Sequence, residues 1–104
     1  MRSIKVMSDY ECFPLWHYDN KCTGNIDPNS LPISRVLIDD LMTWANDFTQ
    51  TLNRDKPTTS SFETKSAEIA FVVRGYELAK RLKAELITIE VVYFDIDQKR
   101  IRCI

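Results

Sequence analysis

The chain has 104 residues, 44% of them hydrophobic and 28% charged, with a net charge of −1. Such a length fits one domain burying roughly two-thirds of the surface its unfolded chain exposes, and the near-neutral balance argues against nucleic-acid binding through bulk electrostatics. No apolar run reaches the roughly 18 residues a membrane helix needs, and no charged-then-apolar leader is present, so a soluble protein acting in the cytoplasm is expected.

Ser3 to Ser8 (SIKVMS) alternates apolar and polar residues, with Ile4 and Val6 against Lys5, and predicts a first strand. Cys12 to Pro32 contains three of the four prolines and the turn-rich stretch TGNIDPNSLP, which predicts one long, well-packed connection. A helix is expected from Ser34, whose hydroxyl suits an N-cap, and Asp39 and Asp40 follow where the helix dipole mildly favours negative charge. Leu37, Leu41, Trp44, Ala45, Phe48 and Leu52 recur at three- and four-residue steps and carry its apolar face to about Asn53. The segment NRDKPTTSS, with Pro57, ends it.

Ser60 to Glu63 (SSFE) has the form of a capping box and predicts a second helix running to Ala84 or Glu85. Phe62, Ile69, Val72, Val73, Tyr76, Ala79 and Leu82 form its expected inner face. Gly75 lies inside that helix, where glycine costs about 1 kcal/mol against alanine, so another group is expected to approach it closely. Leu86 to Phe94 (LITIEVVYF), rich in β-branched and aromatic residues, predicts a strand that turns at Asp95–Asp97 into a hairpin partner over Gln98–Cys103. The order β, long loop, α, α, β, β implies a two-layer α+β domain. Its small, mainly antiparallel sheet comprises the first strand and the C-terminal hairpin, packed by two antiparallel helices.

The densest cluster of chemically capable residues is CFPLWHYDNKC, residues 12–22. Cys12, His17 and Cys22 are spaced C-x4-H-x4-C, which lacks the close CxxC or HxxxH pairs that build usual zinc sites. A Cys–His nucleophilic pair needs an imidazole-activated thiolate held by a third group, and the sequence supports this only by shared loop membership. Three cysteines without close pairing, in a chain lacking an export signal, are expected to stay reduced. Phe13, Leu15 and Trp16 suit a plug pinning the loop to the core. Asp39 and Asp40 point about 100° apart on a helix, a poor acid–base arrangement, and two glycines supply no phosphate-binding loop. Tyr93 and Phe94, followed by Lys99, Arg100 and Arg102, imitate an RNA-binding sheet without its aromatic–glycine pattern.

Charge distribution gives the more useful signal. From Asp9 to Asp47 there are seven acids against two bases, a local charge of −5, whereas bases lead from Lys80 onward. Clustered acids mimic a phosphate backbone and capture basic partners. The expected partner-binding residues are Glu11, His17, Tyr18, Asp19, Asp27, Asp39, Asp40 and Asp47.

Several stretches taken together resemble a known family. They are Asp9, PLW (Pro14 to Trp16), GNIDP (Gly24 to Pro28), LPIS (Leu31 to Ser34), Trp44-Ala45, Leu52-Asn53 and the A-E-I-A-F-x-x-x-G-x-x-L-A-x-x-L track from Ala67 to Leu82. The chain is similar over roughly residues 4 to 94 to small bacterial immunity proteins associated with contact-dependent growth inhibition and polymorphic toxin systems. The resemblance implies a cytoplasmic, non-enzymatic protein that binds and neutralises a cognate toxin domain, commonly a nuclease. It implies no cofactor, membrane or direct nucleic-acid partner, and it carries no catalytic residues. The alternatives are a small Cys/His metal-binding or thiol enzyme and a nucleic-acid-binding regulator.

Overall fold

The computed structural model describes residues 3–18, 24–52 and 62–104. Among these residues five strands form one sheet: β1 (Ser3–Val6), β2 (Leu15–His17), β3 (Asn25–Ile26), β4 (Glu90–Asp95) and β5 (Arg100–Cys103). A 3-10 turn (Pro28–Ser30) leads to α1 (Arg35–Thr49), and α2 (Lys65–Glu85) precedes β4. The sheet order is β3-β2-β1-β4-β5. All neighbours are antiparallel except the central pair, β1 and β4, which run parallel with Ile4 opposite Val91 and Val6 opposite Tyr93. The fold is α+β, as the order of elements predicts, with a sheet wider than the three strands expected.

The two extra strands lie inside the stretch expected to be a single loop. Both are short, and their pairing depends on tertiary contacts that no local periodicity encodes. Asn25 does much of that work. Its amide nitrogen donates to the carbonyls of Phe13 and Leu15 at 2.7 and 2.8 Å, and its oxygen accepts the Phe13 N–H at 2.8 Å. One side chain thus continues the β2–β3 ladder where backbone partners run out.

Helix α1 starts where expected. The Ser34 hydroxyl accepts the Leu37 N–H at 3.2 Å, and the helix ends at Thr49 rather than near Asn53. Helix α2 begins at Lys65, capped by Thr64, whose hydroxyl accepts the Ala67 N–H at 3.0 Å. The capping box expected at Ser60 therefore does not start the helix, and Ser60 itself lies outside the described residues. Glu85 at the far end of α2 closes the pair: its carboxylate accepts the Ser34 N–H at 2.5 Å and the Ser34 hydroxyl at 2.7 Å. Contacts Ser34–Glu85, Asp40–Arg81 and Asp47–Arg74 climb α1 while descending α2, so the helices are antiparallel.

The inner face of α2 keeps Val72, Ala79 and Leu82 of the expected set, with Phe62 and Tyr76 packed against the core, but not Ile69 and Val73. Phe71, Val72, Leu78, Ala79 and Leu82 are buried, whereas Ile69 and Val73 remain 48% and 56% exposed. The reason is the phase that Gly75 imposes. A Cβ built on Gly75 would stand 2.5 Å from Tyr93 Oη and closer still to the Trp44 ring, so α2 presses its glycine edge onto these two side chains. Trp44 stacks on Phe71 with ring centroids 4.6 Å apart and donates from Nε1 to the Phe71 carbonyl at 3.0 Å. The Tyr93 hydroxyl donates to the Val72 carbonyl at 3.0 Å. Both polar tips thereby find partners in a fully buried setting, which removes the cost of burying them bare.

The last expected strand also starts late. Leu86 and Ile89 close a turn, with Ile89 N–H donating to the Leu86 carbonyl at 3.0 Å, and β4 begins at Glu90. The chain must reverse from helix to sheet there, and that turn overrides the β-branched run. At the other end of β4, buried Asp95 accepts the N–H groups of Asp97 and Gln98 at 2.9 and 3.0 Å and so fixes the hairpin to β5.

Two measurements test this arrangement. Gly75→Ala lowers unfolding stability by about 1–3 kcal/mol, because overpacking against rigid rings outweighs the helix-propensity gain of about 1 kcal/mol; equal or higher stability in urea would mean that the rings yield freely. The Ser34 hydrogen bonds hold the Glu85 carboxyl below its ordinary value. A depressed folded-state value means that this stabilisation is present above the unfolded carboxylate range and fades as pH falls through the folded value. Glu85→Gln should therefore unfold at lower urea than the parent at neutral pH, with the difference shrinking in acid.

Candidate partner-binding surface

Asp39, Asp40 and Asp47 reach the surface on α1, and Asp27 and Glu11 stand near its two ends. Asp27 caps the 3-10 turn, accepting the Asn29 N–H at 2.9 Å and its amide at 3.1 Å. Asn29 in turn accepts from Arg35 at 3.0 Å, and Arg35 pairs with Asp39 at 3.1 Å on the next turn of α1. Asp40 pairs with Arg81 at 2.7 Å, and Asp47 pairs with Arg74. Glu11 stands near the last turn, where its N–H donates to Thr49 Oγ1 at 3.0 Å. Five of the expected partner-binding residues thus follow α1 from before its first turn to its end.

The fold changes the electrostatics of that row. Residues Asp9 to Asp47 sum to −5 in the sequence with Arg35 already counted, and Arg74 and Arg81 arrive from α2 to offset it further. The surface alternates in sign rather than being uniformly acidic. Each pair is exposed and contributes only about 0–1 kcal/mol, so a partner's charges can replace either member at little cost. Between the helices Asp40, Thr43, Arg74, Leu78 and Arg81 line a groove of about 240 Å³. The sequence-based set does not include Arg74 and Arg81, because the pairing of one helix with the other is a tertiary contact that leaves no periodic signal in either segment.

His17 and Tyr18 do not join this row. Alternation along β2 puts Leu15 and His17 on the helix-facing side and Trp16 and Tyr18 on the other. Tyr18 is exposed, with the Lys5 ammonium 5.8 Å from its ring centroid. The His17 Nδ1 is buried and has no hydrogen-bond partner among the described residues. Asp19 and Cys22 lie outside the described residues.

The expected plug is split in the same way. Pro14 and Leu15 are fully buried, Leu15 within the core, while half-buried Trp16 lies on the opposite face and donates from Nε1 to the Met7 carbonyl at 3.0 Å. The loop between β1 and β2 is pinned by Tyr10, which stacks on Phe48 at 4.6 Å, and by Glu11 in a left-handed conformation (φ 58°). It borders a hollow of about 280 Å³ that includes Cys12, Phe13, Asn25, Met42 and Asn46. Partial burial and the charges of Asp9 and Glu11 push the Cys12 thiol above its ordinary value. That shift opposes the thiolate a nucleophile requires. Among the described residues no three His, Cys, Asp or Glu side chains come together as a metal site. No helix there is long and apolar enough to cross a membrane.

Asn25→Ala tests whether the loop is built as described. Losing the two donated bonds and the accepted one leaves the part-buried Leu15 carbonyl without its partner and costs about 1 kcal/mol. Amide exchange at Phe13 should accelerate accordingly, and wild-type stability with unchanged exchange would remove Asn25 from this role.

Comparison with curated proteins returns no match. A family model described as Serratia CdiI immunity protein-like matches residues 2–96, which include every strand but β5, both helices and the whole charged row. The chain belongs to the Serratia CdiI immunity protein-like family.

Proposed function

We propose that this protein is a non-enzymatic immunity protein that acts in the cytoplasm by binding and neutralising a cognate toxin domain, a nuclease effector of a contact-dependent inhibition system. Family membership over residues 2–96 carries the reading. The raised Cys12 thiol supports it against the thiol-enzyme alternative. We assign the contact to Glu11, Asp27, Asp39, Asp40 and Asp47 along α1, with exposed Tyr18 as a separate point; His17 and Asp19 remain its neighbours in the sequence alone.

A nuclease presents cations to grip a phosphate backbone, and exposed carboxylates along α1 offer those cations an alternative. Alternating charges add selectivity, since a mismatched partner meets like charge at some positions and a matched one at none. Complex formation then exchanges weak internal pairs for intermolecular ones that the interface shields from water.

Co-expression with the cognate toxin domain tests the reading: the two copurify, and cells expressing both grow. No complex at micromolar concentration, together with no protection, overturns it. Asp39→Lys combined with Asp40→Lys should weaken binding by about tenfold or more and flatten its salt dependence. Unchanged affinity moves the contact away from α1.

A further inference from the structure

Strand β5 ends the sheet, and among the described residues no strand pairs with its far edge. None of its residues is buried: Ile101 is 38% exposed and Cys103 is exposed too. Open edges present unpaired N–H and C=O groups and template further pairing. Opposite Tyr93 and Asp95, Arg102 and Arg100 lie on the helix-facing side of β5, while Ile101 and Cys103 lie on the other.

Helix α2 runs alongside the β4–β5 hairpin. Lys65 pairs with Asp97, the Tyr76 ring lies 4.6 Å beneath the Arg102 guanidinium, and Lys83 donates to the Ile104 carbonyl, so one side of α2 runs beside the hairpin. At about 100° per residue, Ile69 and Val73 fall on that same side. Their exposure is what an apolar shelf beside an absent strand would show.

We propose that β5 and this shelf of α2 form a slot for one added strand, supplied by the cognate toxin domain. The strand carries glutamates on its helix-facing side, their methylene stems over Ile69 and Val73 and their carboxylates toward Arg100 and Arg102, and apolar residues against Ile101 and Cys103. Charge selects this occupant. Lys99 and Arg100 make no ion pair among the described residues, and Arg102 reaches Asp95 only at 3.5 Å. A second copy in the slot would set these cations against their own counterparts. The inference rests on the immunity reading and adds to it a second contact, remote from the acids of α1.

Hydrogen–deuterium exchange of the full chain, alone and with the purified cognate toxin domain, reads the edge directly. Outward-facing β5 amides should slow in the complex, and Arg100→Glu should weaken binding by about tenfold or more, well beyond what the small fall in urea midpoint from a carboxylate opposite Asp95 accounts for. Ile69→Asp, on the other element of the slot, should weaken it too. A complex of parental affinity in both variants, with β5 exchange unchanged, overturns the slot and leaves the immunity reading standing. No complex with the unsubstituted protein overturns both. A concentration-dependent dimer abolished by Arg100→Glu would assign the edge to a second copy and overturn the proposal as well.

Discussion

The contact of Trp44 and Tyr93 with the backbone of α2 at Gly75 joins the three main parts of the molecule. Trp44 belongs to α1, Tyr93 to strand β4, and the carbonyls they reach belong to Phe71 and Val72 on α2. No side chain larger than hydrogen fits at position 75 while both rings hold these bonds. The constraint sets the rotation of α2 about its axis, and that rotation decides what the helix shows to solvent. Burying Phe71, Leu78 and Leu82 beneath the rings leaves Ile69 and Val73 outside. The same rotation aims Arg74 and Arg81 at Asp47 and Asp40. Core packing and the surface charge pattern therefore share one cause.

What the sequence made legible follows from this. Signals that are local survived intact: the Ser34 cap, the period of α1, the close approach at Gly75, the hairpin turned by Asp95. Signals that depend on phase or on distant partners did not. The stripe through Ile69 and Val73 is as regular as the one actually buried, and only the rings opposing Gly75 decide between them. Strands β2 and β3 contain three and two residues, too short for alternation to register, and Asn25 completes their ladder with a side chain. Asn25 sits in GNIDP, where composition suggested a turn. It works there as a clamp.

The candidate surface shows the same division. The acids of α1 were legible because charge is additive along a chain, but their neutralisation was not, because Arg74 and Arg81 are separated from them by the whole helix–helix connection. A run of like charge in sequence becomes a field only if folding leaves it uncompensated. Here folding interleaves it with cations at exposed sites, where each pair is weakly held. Such a surface keeps a defined pattern in the free protein and loses little when a partner takes its charges over.

A protein that must recognise one partner gains from distributing contact over surfaces with different physics. The α1 row offers charge that is exchangeable and salt-sensitive, which governs encounter rate and rejection of mismatched partners. An open strand edge offers backbone hydrogen bonds, which are fixed in geometry and indifferent to sequence, with selectivity left to the flanking side chains. Within this molecule the two lie on opposite sides of the Gly75 contact: α1 packs on one flank of α2 and the β4–β5 hairpin runs beside the other. Rotation of α2 would disturb both at once, misaligning Arg74 and Arg81 while turning Ile69 and Val73 toward or away from β5. The close-packed joint of glycine, tryptophan and tyrosine therefore fixes the relative placement of the two proposed recognition surfaces.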